Sequence, residues 1–419
     1  MDEKLYLSPV DEAHASDPAA PMFSVVAYFS GEPPAVDVLR ERVAARWGAA
    51  ARLRRVLPEI RRGPGRLRWG VVDRFDPRRQ VVACDDGGPA AADLHRALLG
   101  RRLPDGFPPW RLELVPHAGE GMFALVMVVH HALMDAASTQ TLFGRLLDGA
   151  AAPSAAPSVD PRPAPSASRA FPRSPVRGLG GAARVAGVLL GPSRRLPVDP
   201  ADLRPETAWR PLDAGTLEAA RSALPGRAAT RTEVVLAAAA GALRAVHGRG
   251  EQGPGRGAPL FAGVPVDLRS RPEELGNVLT VLRAPLPVDL GRPEDRLAAC
   301  RGLIGSLRAD HLDDVGWYLL NAAARVGPGA LRTLTSLMPR VAPVGCTSIR
   351  WRRGPWCLDG RPLTRVVLVG PPSAPGTVYL SLVGYADALS LCVVSHTLPG
   401  DSGRLAARFE QELAALGSA

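Results

Sequence analysis

The hydrophobic pattern of the N-terminal half predicts short strands that alternate with helices. Residues 123–129 are apolar at nearly every position and partly β-branched, which is typical of a strand buried on both faces. Another strand is predicted over 22–30, a helix over 36–47 and a short tryptophan-containing strand over 67–73. Asp135 then stands where a further helix begins, with leucines at helical spacing behind it.

In the C-terminal half the pattern predicts one long helix and a sheet. Residues 230–247 form the clearest helix of the chain, which either Thr230 or Thr232 can cap. Residues 366–370 and 378–396 predict the strands of a hairpin-rich sheet. The remaining predicted elements are strands at 259–269 and 277–288 and helices at 292–311 and 402–416. Strands and helices mix in both halves, so the predicted fold class is α/β or α+β.

The length of 419 residues favours two domains or two similar halves over a single core. Residues 150–182 are dominated by alanine, proline, serine and arginine, a composition that suits an extended crossover. We therefore predict an N-terminal half at 1–152, a crossover linker at 153–208 and a C-terminal half at 209–419.

The charge of the chain bears on its partners. It carries 51 basic and 41 acidic residues, a formal net charge of +10, and Lys4 is its only lysine. Such a surface attracts acidic carrier proteins, phosphorylated cofactors and membranes, so peripheral membrane contact is one expectation. The sequence has no zinc finger, basic helix or aromatic-and-basic RNA-binding signature, so we expect no nucleic acid partner. The sequence does not define an oligomeric state.

The cysteines and the first residues bear on the compartment. The five cysteines are scattered, odd in number and without CxxC spacing, so we interpret them as thiols in a reducing cytoplasm. The polar, acidic start is not a signal peptide, and the apolar stretch at 183–191 is too short to span a bilayer. The sequence therefore predicts a cytoplasmic protein.

Two histidines at the end of a buried strand are the strongest chemical signal. His130 and His131 follow the apolar run, and Asp135 opens the next helix. This layout brings an imidazole to the edge of a core and favours a positioned general base. The alternative is a pair of hydrogen-bonded histidines with a structural role. No ligand cluster accompanies the histidines, so no metal is predicted.

The histidine motif belongs to a longer series of blocks that resembles a known superfamily, the acyltransferases with an HHxxxDG motif. It joins chloramphenicol acetyltransferase, plant acyltransferases, peptide-synthetase condensation domains and bacterial wax ester synthase/diacylglycerol acyltransferases, and the resemblance is strongest to the last group. The blocks are LSPVDEAHA…APMF at 7–23, ARLRRVL at 51–57, WGVVDRFD at 69–76, PPWRLEL at 108–114, TEVVLAAAAGALR at 232–244, VPVDLR at 264–269 and LGNVLTVLRAPLP at 275–287.

This resemblance implies two chloramphenicol-acetyltransferase-like halves with a central tunnel between them. It implies that His131 faces the tunnel as the catalytic base and that His130 is only its neighbour. An imidazole with a pKa near ~6.5 accepts a proton from a hydroxyl or amine near neutral pH, which fits that role. The candidates that we expect along the substrate tunnel are Trp110, Thr232, Glu233, Asn277, Ser348 and Arg350.

The resemblance also implies that Asp135 is structural and paired to an arginine of the first half. We expect that partner to be Arg54, and the alternative for Arg54 is a solvated charge at a helix end. Arg55 and Arg269 are the other candidates for the pair. A buried pair of this kind fixes the geometry of a loop.

The chain departs from the family pattern in three places. Ala136 replaces the family glycine, which strains the chain if that site requires a positive φ and is harmless if it is helical. Thr232 and Glu233 replace an Asn-Asp pair, which preserves a cap and a carboxylate. The late Ser-Asn-Val-Pro-Gly-Pro segment is replaced by CTSIRWRRGPW at 346–356.

The replaced segment contains a cluster of arginines and tryptophans, namely Arg350, Trp351, Arg352, Arg353 and Trp356. Arginines beside indoles suit a phosphate or carboxylate, as in coenzyme A or phosphopantetheine. The alternative is an exposed basic strand edge. We expect an altered channel and an acceptor other than bulk long-chain alcohol or diacylglycerol.

The expected function is acyl transfer from a thioester to a hydroxyl or amine of a small acceptor, in lipid or specialised-metabolite biosynthesis. The donor is acyl-coenzyme A or an acyl-carrier protein, and no tightly bound cofactor is expected. One alternative is a free-standing condensation enzyme that forms amides from substrates on acyl- or peptidyl-carrier proteins. Another is a relative that binds a ligand without turning it over, because resemblance alone does not establish function.

Overall fold

The computed structural model describes residues 5–17, 22–59, 66–84, 91–149, 191–248, 257–309, 320–351, 354–371 and 374–418. The elements of the first half are α1 (Pro9–Ala15), β1 (Met22–Ser30), α2 (Val36–Trp47), β2 (Arg55–Val56), β3 (Gly70–Val71), α3 (Pro77–Gln80), β4 (Val81–Ala83), α4 (Ala91–Leu99), β5 (Trp110–Gly119), β6 (Met122–His130) and α5 (Ala136–Leu146).

The second half contains the remaining helices and strands. They are β7 (Glu206–Asp213), α6 (Ala214–Ser222), α7 (Arg231–His247), β8 (Leu260–Asp267), β9 (Leu279–Leu286), α8 (Pro293–Ala309), α9 (Pro328–Val341), β10 (Val344–Arg350), β11 (Cys357–Leu358), β12 (Arg361–Val369), β13 (Thr377–Tyr385), β14 (Ala388–His396) and α10 (Asp401–Gly417).

Each half is built around a six-stranded sheet. The first sheet has the order β11-β12-β1-β6-β5-β4, and the second has the order β7-β14-β13-β10-β8-β9. Strand β6 pairs antiparallel with β1 on one side and β5 on the other, and Phe23 lies opposite Val129. Alternate residues of β6 enter different hydrophobic clusters, so both of its faces are buried. This central position fixes where the strand ends.

Two strands cross from the second half of the chain into the first sheet, namely β12 and the two-residue β11 that pairs with it. Strand β12 pairs antiparallel with β1, with Leu368 opposite Val25. The expectation that 366–370 joins 378–396 in one sheet is therefore wrong, although β13 and β14 do form an antiparallel hairpin. Residues 366–369 are buried, and the edge of β1 gives this apolar segment both a hydrogen-bonding partner and a core.

The two sheets also pack against each other. Val26 and Val128 of the first sheet share a hydrophobic cluster with Cys392 and Val394 of β14. Most of the predicted linker, and the apolar stretch at 183–191 except its last residue, lie outside the described residues. Residues 191–205 form no helix or strand. No helix in the described ranges has both the length and the hydropathy to cross a membrane.

Several predicted elements agree closely with the structure, and others do not. Strand β1 and helix α2 have the predicted bounds, and α7 begins one residue after its cap, which is Thr230 rather than Thr232. The strand predicted at 67–73 is reduced to Gly70–Val71, which pairs only with Arg55–Val56. The short helix α1 was not predicted, and it lies beside the histidines.

Candidate active site

Strand β6 delivers the two histidines into different environments. His130 is the last residue of the strand and is 8% exposed. Its Nδ1 accepts a hydrogen bond from the backbone N–H of Ala132 at 3.1 Å. Burial and the neighbouring His131 lower the pKa of His130 to about 4, so this imidazole is neutral near neutral pH. His130 therefore shapes the turn that carries His131.

His131 is half-buried, and two rings hold its own ring. The ring of His14 stacks on it with centroids 4.0 Å apart and planes 20° apart. Phe23 of β1 approaches edge-on, with centroids 5.1 Å apart and planes at 60°. The Nδ1 atom is buried and has no hydrogen-bonding partner on another described residue.

The surroundings of His131 act on its pKa in opposite directions. Burial lowers the pKa of His131, and this effect prevails over its own backbone carbonyl, Asp135, Asn277 and Asp11, which all raise it. The net result is a pKa below the ordinary value for histidine. At neutral pH the ring is consequently uncharged and available as a proton acceptor.

Asn277 clamps the turn from the second half. Its Nδ2 lies 2.6 Å from the carbonyl oxygen of His131 and 3.2 Å from that of Ala132. The same nitrogen lies 2.9 Å from Oδ1 of Asp11 in α1. Asn277 is 7% exposed, so it positions the backbone of the histidine turn rather than lining an open channel.

A buried ion pair between Asp11 and Arg52 connects α1 to the chain just after His131. Asp11 and Arg52 have side chains 1% and 3% exposed, and Nη2 of Arg52 lies 2.7 Å from Oδ2 of Asp11. The Nε of Arg52 also donates to the carbonyl of Leu133. The guanidinium therefore bonds both to α1 and to the chain just after His131.

Asp135 joins α5 to the second half through Arg269. As the N-cap of α5, Asp135 accepts from the backbone N–H of Ser138 at 2.9 Å. The Nη2 of Arg269 lies 2.6 Å from the same oxygen, Oδ1, and both side chains are about 95% buried, at 6% and 5% exposure. Ser138 Oγ also donates to the carbonyl of Gly276 at 2.9 Å.

The prediction that Arg54 pairs with Asp135 is therefore wrong. Arg54 ends the short 3₁₀ helix Ala51–Arg54, and the pairing arginine comes from the second half. The loop after β8 brings Arg269 against the N-terminus of α5, which the order of residues along the chain does not reveal. Arg269 was one of the two other candidates. The remaining candidate, Arg55, pairs through its backbone with Val71 and lies over the ring of Trp69.

Gly276 lies between the Asp135–Arg269 pair and the Asp11–Arg52 pair. Its φ of +129° lies in a region that favours glycine. A Cβ at this position would lie 2.9 Å from Cζ of Arg52, whose side chain is buried and ion-paired. The glycine therefore lets the loop of the second half approach the Asp11–Arg52 pair closely.

Ala136 is the first residue of α5 and has no positive φ. Of the two outcomes expected for this departure from the family pattern, the structure has the helical one. Alanine suits a helix better than glycine does. The replacement of glycine by alanine consequently leaves the turn unstrained.

Two of the expected tunnel residues, Trp110 and Glu233, have structural roles instead. Trp110 is fully buried and its Nε1 donates to the carbonyl of Leu53 at 2.9 Å, in the core of the first half. Glu233 is 1% exposed, forms the capping box of α7 with Thr230 and receives two hydrogen bonds from Arg227. Thr232, which is half-buried, follows the cap in the first turn of α7.

The late arginine and tryptophan segment is divided by the fold. Trp351 and Trp356 are each 2% exposed and pack with Phe143 and Tyr385 in the first core. Arg350 is exposed at the end of β10, and its carbonyl accepts from Gln140 of α5 at 3.3 Å. The expected pairing of indoles with arginines in a channel does not occur at these two tryptophans. Arg352 and Arg353 lie outside the described residues.

Two further polar groups lie near the end of β10. Ser348 Oγ is buried without a hydrogen-bonding partner in the described part of the chain. Burial lowers the pKa of Arg231, at the start of α7, and the nearby positive charge of Arg350 lowers it further. The guanidinium of Arg231 lies against Gly384, which pairs with Arg350 across β13 and β10, and the sequence drew attention only to Arg350.

The fold matches the solved structures of other proteins. One is the wax ester synthase/diacylglycerol acyltransferase from Marinobacter aquaeolei VT8, with a TM-score of 0.64, 20% identity and 98% coverage of each chain. Another is the first condensation domain of the CDA synthetase, with a TM-score of 0.65, 18% identity and coverage of 99% of this chain and 96% of the other. At these identities the match shows the fold, which confirms the expected mixed α/β class and two-half architecture.

Family models identify the chain more closely. The wax ester synthase/diacylglycerol acyltransferase catalytic domain matches residues 14–244, and the WS/DGAT C-terminal domain matches residues 275–417. The chain belongs to the wax ester synthase/diacylglycerol acyltransferase family. A relative from Mycobacterium tuberculosis CDC 1551, named as a diacyglycerol O-acyltransferase, is 27% identical over 320 residues. The match covers 69% of this chain and 66% of that protein, slightly under two thirds of its length.

Proposed function

We propose that the protein transfers an acyl group from a thioester to a hydroxyl or amine, with Nε2 of His131 as the general base. The observation that carries this proposal is the fixed, half-buried imidazole of His131 at the end of a central strand. Its ring is held by two other rings, and its backbone is held by Asn277. A base held in this way can meet a substrate without reorganising.

The tautomer of His131 follows from its surroundings. Its own backbone carbonyl, which is a hydrogen-bond acceptor, raises its pKa. We therefore assign the proton of the neutral ring to Nδ1, which leaves the lone pair of Nε2 for the substrate.

The reaction then needs no covalent enzyme intermediate. Nε2 takes the proton of the acceptor hydroxyl or amine while its oxygen or nitrogen attacks the thioester carbonyl. Collapse of the tetrahedral intermediate breaks the carbon–sulfur bond, and the imidazolium returns the proton to the departing thiolate. A lowered pKa of His131 helps the second step, because a more acidic imidazolium gives up its proton more readily.

Asp135 has no part in proton transfer in this proposal. Its two oxygens are occupied by Ser138, by Arg269 and by the backbone N–H of Val278 at 3.3 Å. Such a carboxylate holds the start of α5 against the second half. It therefore sets the geometry of the turn on which His131 stands.

The donor in this proposal carries a phosphate, as coenzyme A and phosphopantetheine do. Support comes from the guanidinium of Arg231, which lies against Gly384 opposite Arg350 in the second sheet, because guanidinium groups bind phosphates with paired hydrogen bonds. We also propose that the protein works in the cytoplasm. None of its five cysteines forms a disulfide, which suits a reducing compartment.

A donor panel tests the proposed activity. The purified protein should convert acyl-coenzyme A and a mixture of small alcohols and amines into esters or amides, measured by mass spectrometry with thiol release followed in parallel. Turnover with acyl-coenzyme A alone would count against an obligate carrier protein. Absence of product with acyl-coenzyme A and with acyl-carrier protein alike would contradict acyl transfer.

The phosphate contact has its own test. Replacing Arg350 with alanine should raise KM for acyl-coenzyme A about fivefold, as expected for the loss of ~1 kcal/mol from an exposed charge pair. KM for the matching acyl-pantetheine, which lacks phosphate, should not change. Arg325→Ala alters another exposed arginine and is the control. An equal effect of Arg350→Ala on both donors would contradict a phosphate contact.

A further inference from the structure

The ring that stacks on His131 belongs to His14, which is not among the site residues predicted from the sequence. His14 lies in the last turn of α1 and is half-buried. Its ring lies nearly parallel to that of His131, with the centroids 4.0 Å apart. Phe23 contacts the same imidazole edge-on. The catalytic ring is thus confined between two aromatic neighbours from different elements.

Helix α1 is held in a way that fixes where His14 lies. At its start, Ser8 and Asp11 form a reciprocal capping box. One helical turn before His14, Asp11 bonds to Arg52 and to Asn277, which are the residues that hold the backbone around His131. Residues three apart on a helix share a face. The same network therefore fixes both members of the stack relative to each other.

We propose that His14 is a positioning residue for the catalytic base, whose uncharged ring covers one face of His131, keeps water from that face and holds Nε2 in a single direction. This inference rests on the proposed function for its meaning in catalysis. The structural half of it, that His14 shields the ring of His131, can be measured without any substrate.

The charged groups around the stack are consistent with an uncharged His14. Two titratable residues of α1, His14 and Asp11, face His131. His130 and Asp135 do so from its own segment. The other neighbours, Phe23 of β1 and Asn277 of the second half, carry no charge. Arg52 and Arg269 are engaged by the two aspartates. Burial and the two neighbouring histidines hold the pKa of His14 well below the ordinary value. The stack consequently forms between neutral rings, which avoids repulsion between two imidazolium ions.

The role of His14 depends on a flat ring rather than on proton exchange. Proton transfer requires a donor and acceptor that meet in the ring plane, whereas stacked rings meet through their faces. Phenylalanine offers a similar flat face without a titratable group. Alanine removes the cover and admits water, and this reduces the burial that lowers the pKa of His131.

The test is an NMR titration of the imidazole signals in the full-length protein, with the His131 signal assigned from His131→Ala. In His14→Ala the pKa of His131 should rise towards the ordinary value of about 6.5. In His14→Phe it should stay near that of the unmodified protein. His117→Ala, which removes an exposed histidine, is the control. Thermal melts of all variants establish that each is folded.

Kinetics on the same variants complete the test. His14→Ala should lower kcat about tenfold or more, as expected for a misplaced catalytic group, with a smaller change in KM, and His14→Phe should restore most of it. An unchanged His131 titration in folded His14→Ala would overturn the proposal, as would a His14→Phe variant that behaves like His14→Ala. If the unmodified protein shows no acyl transfer, the proposed function fails, and the titration still decides whether His14 shields His131.

Discussion

Replacing His131 with alanine should lower kcat by about 10²- to 10⁴-fold, the usual contribution of a general base. The side chain is half-buried and surrounded by rings, so its removal leaves the sheet and the main-chain clamp of Asn277 in place. A melting temperature close to that of the unmodified protein should accompany the loss of activity. Product formation is measured with the best donor of the panel.

The pH dependence of the unmodified protein gives an independent view of the same residue. Only neutral imidazole accepts a proton, so kcat/KM should rise with pH through the pKa of His131 in the free enzyme. Because burial holds this pKa below the ordinary value, the acid limb should lie below about pH 6.5. His117→Ala should retain the same activity and profile, since His117 is exposed and lies on β5. A His131→Ala protein with undiminished turnover would exclude the base assignment.

The parts of the site that the sequence predicted are local in the chain. The strand before His131 and the helix capped by Asp135 depend on neighbouring residues, since burial on both faces and an N-cap leave a pattern within about ten positions. The structure has β6 ending at His130 and α5 beginning at Ala136, as that pattern predicts. The imidazole could thus be placed at a strand end from sequence alone.

The contacts that hold the site together are distant in the chain, and the sequence indicated only the Asp135–Arg269 pair, as one of three alternatives. Asp135 and Arg269 are 134 positions apart, and Asp11 and Asn277 are 266 positions apart. Such pairs exist only because the loop after β8 reaches the N-terminus of α5. In an arginine-rich chain, no local signal distinguishes Arg269 from Arg54. Residues Ser8 to Asp11 did contain a usable signal, because serine followed three positions later by an acid marks a helix start.

Composition was a poor guide to the late segment. Its arginines suggested an exposed cluster, yet Trp351 and Trp356 are buried because large aromatic rings contribute most when they pack in a core. Strand β12 was likewise misplaced, since a short apolar strand carries no information about which sheet it joins. Both errors concern the choice among partners rather than the type of element.

Replacing Arg269 with methionine should lower the free energy of unfolding by about 3–5 kcal/mol, because it leaves the buried carboxylate of Asp135 without its partner. Both side chains are almost fully buried, and Arg269 also donates to the carbonyls of Glu274 and Gly276 at 3.1 and 2.9 Å. The effect should appear as a lower midpoint in urea denaturation. It should be accompanied by a lower kcat, since the loop that carries Asn277 loses its ion pair to α5 and keeps the hydrogen bonds of Gly276 with Ser138 and of Val278 with Asp135.

A double-mutant cycle separates the pair from the remaining contacts of each residue. Asp135→Ala would also remove the N-cap of α5, and this loss alone costs about 1 kcal/mol. The cycle therefore uses Asp135→Asn, because asparagine keeps an oxygen that can cap the helix. If the pair holds the turn, Asp135→Asn combined with Arg269→Met should be less destabilising than the sum of the single changes, because the double variant contains no unpaired buried charge. Arg204→Met provides the control, since Arg204 pairs with Asp202 while 86% exposed, and its loss should leave the midpoint unchanged. Strictly additive effects of the two buried changes would mean that Asp135 and Arg269 act separately, and the histidine turn would then depend on Asn277 and Arg52 alone.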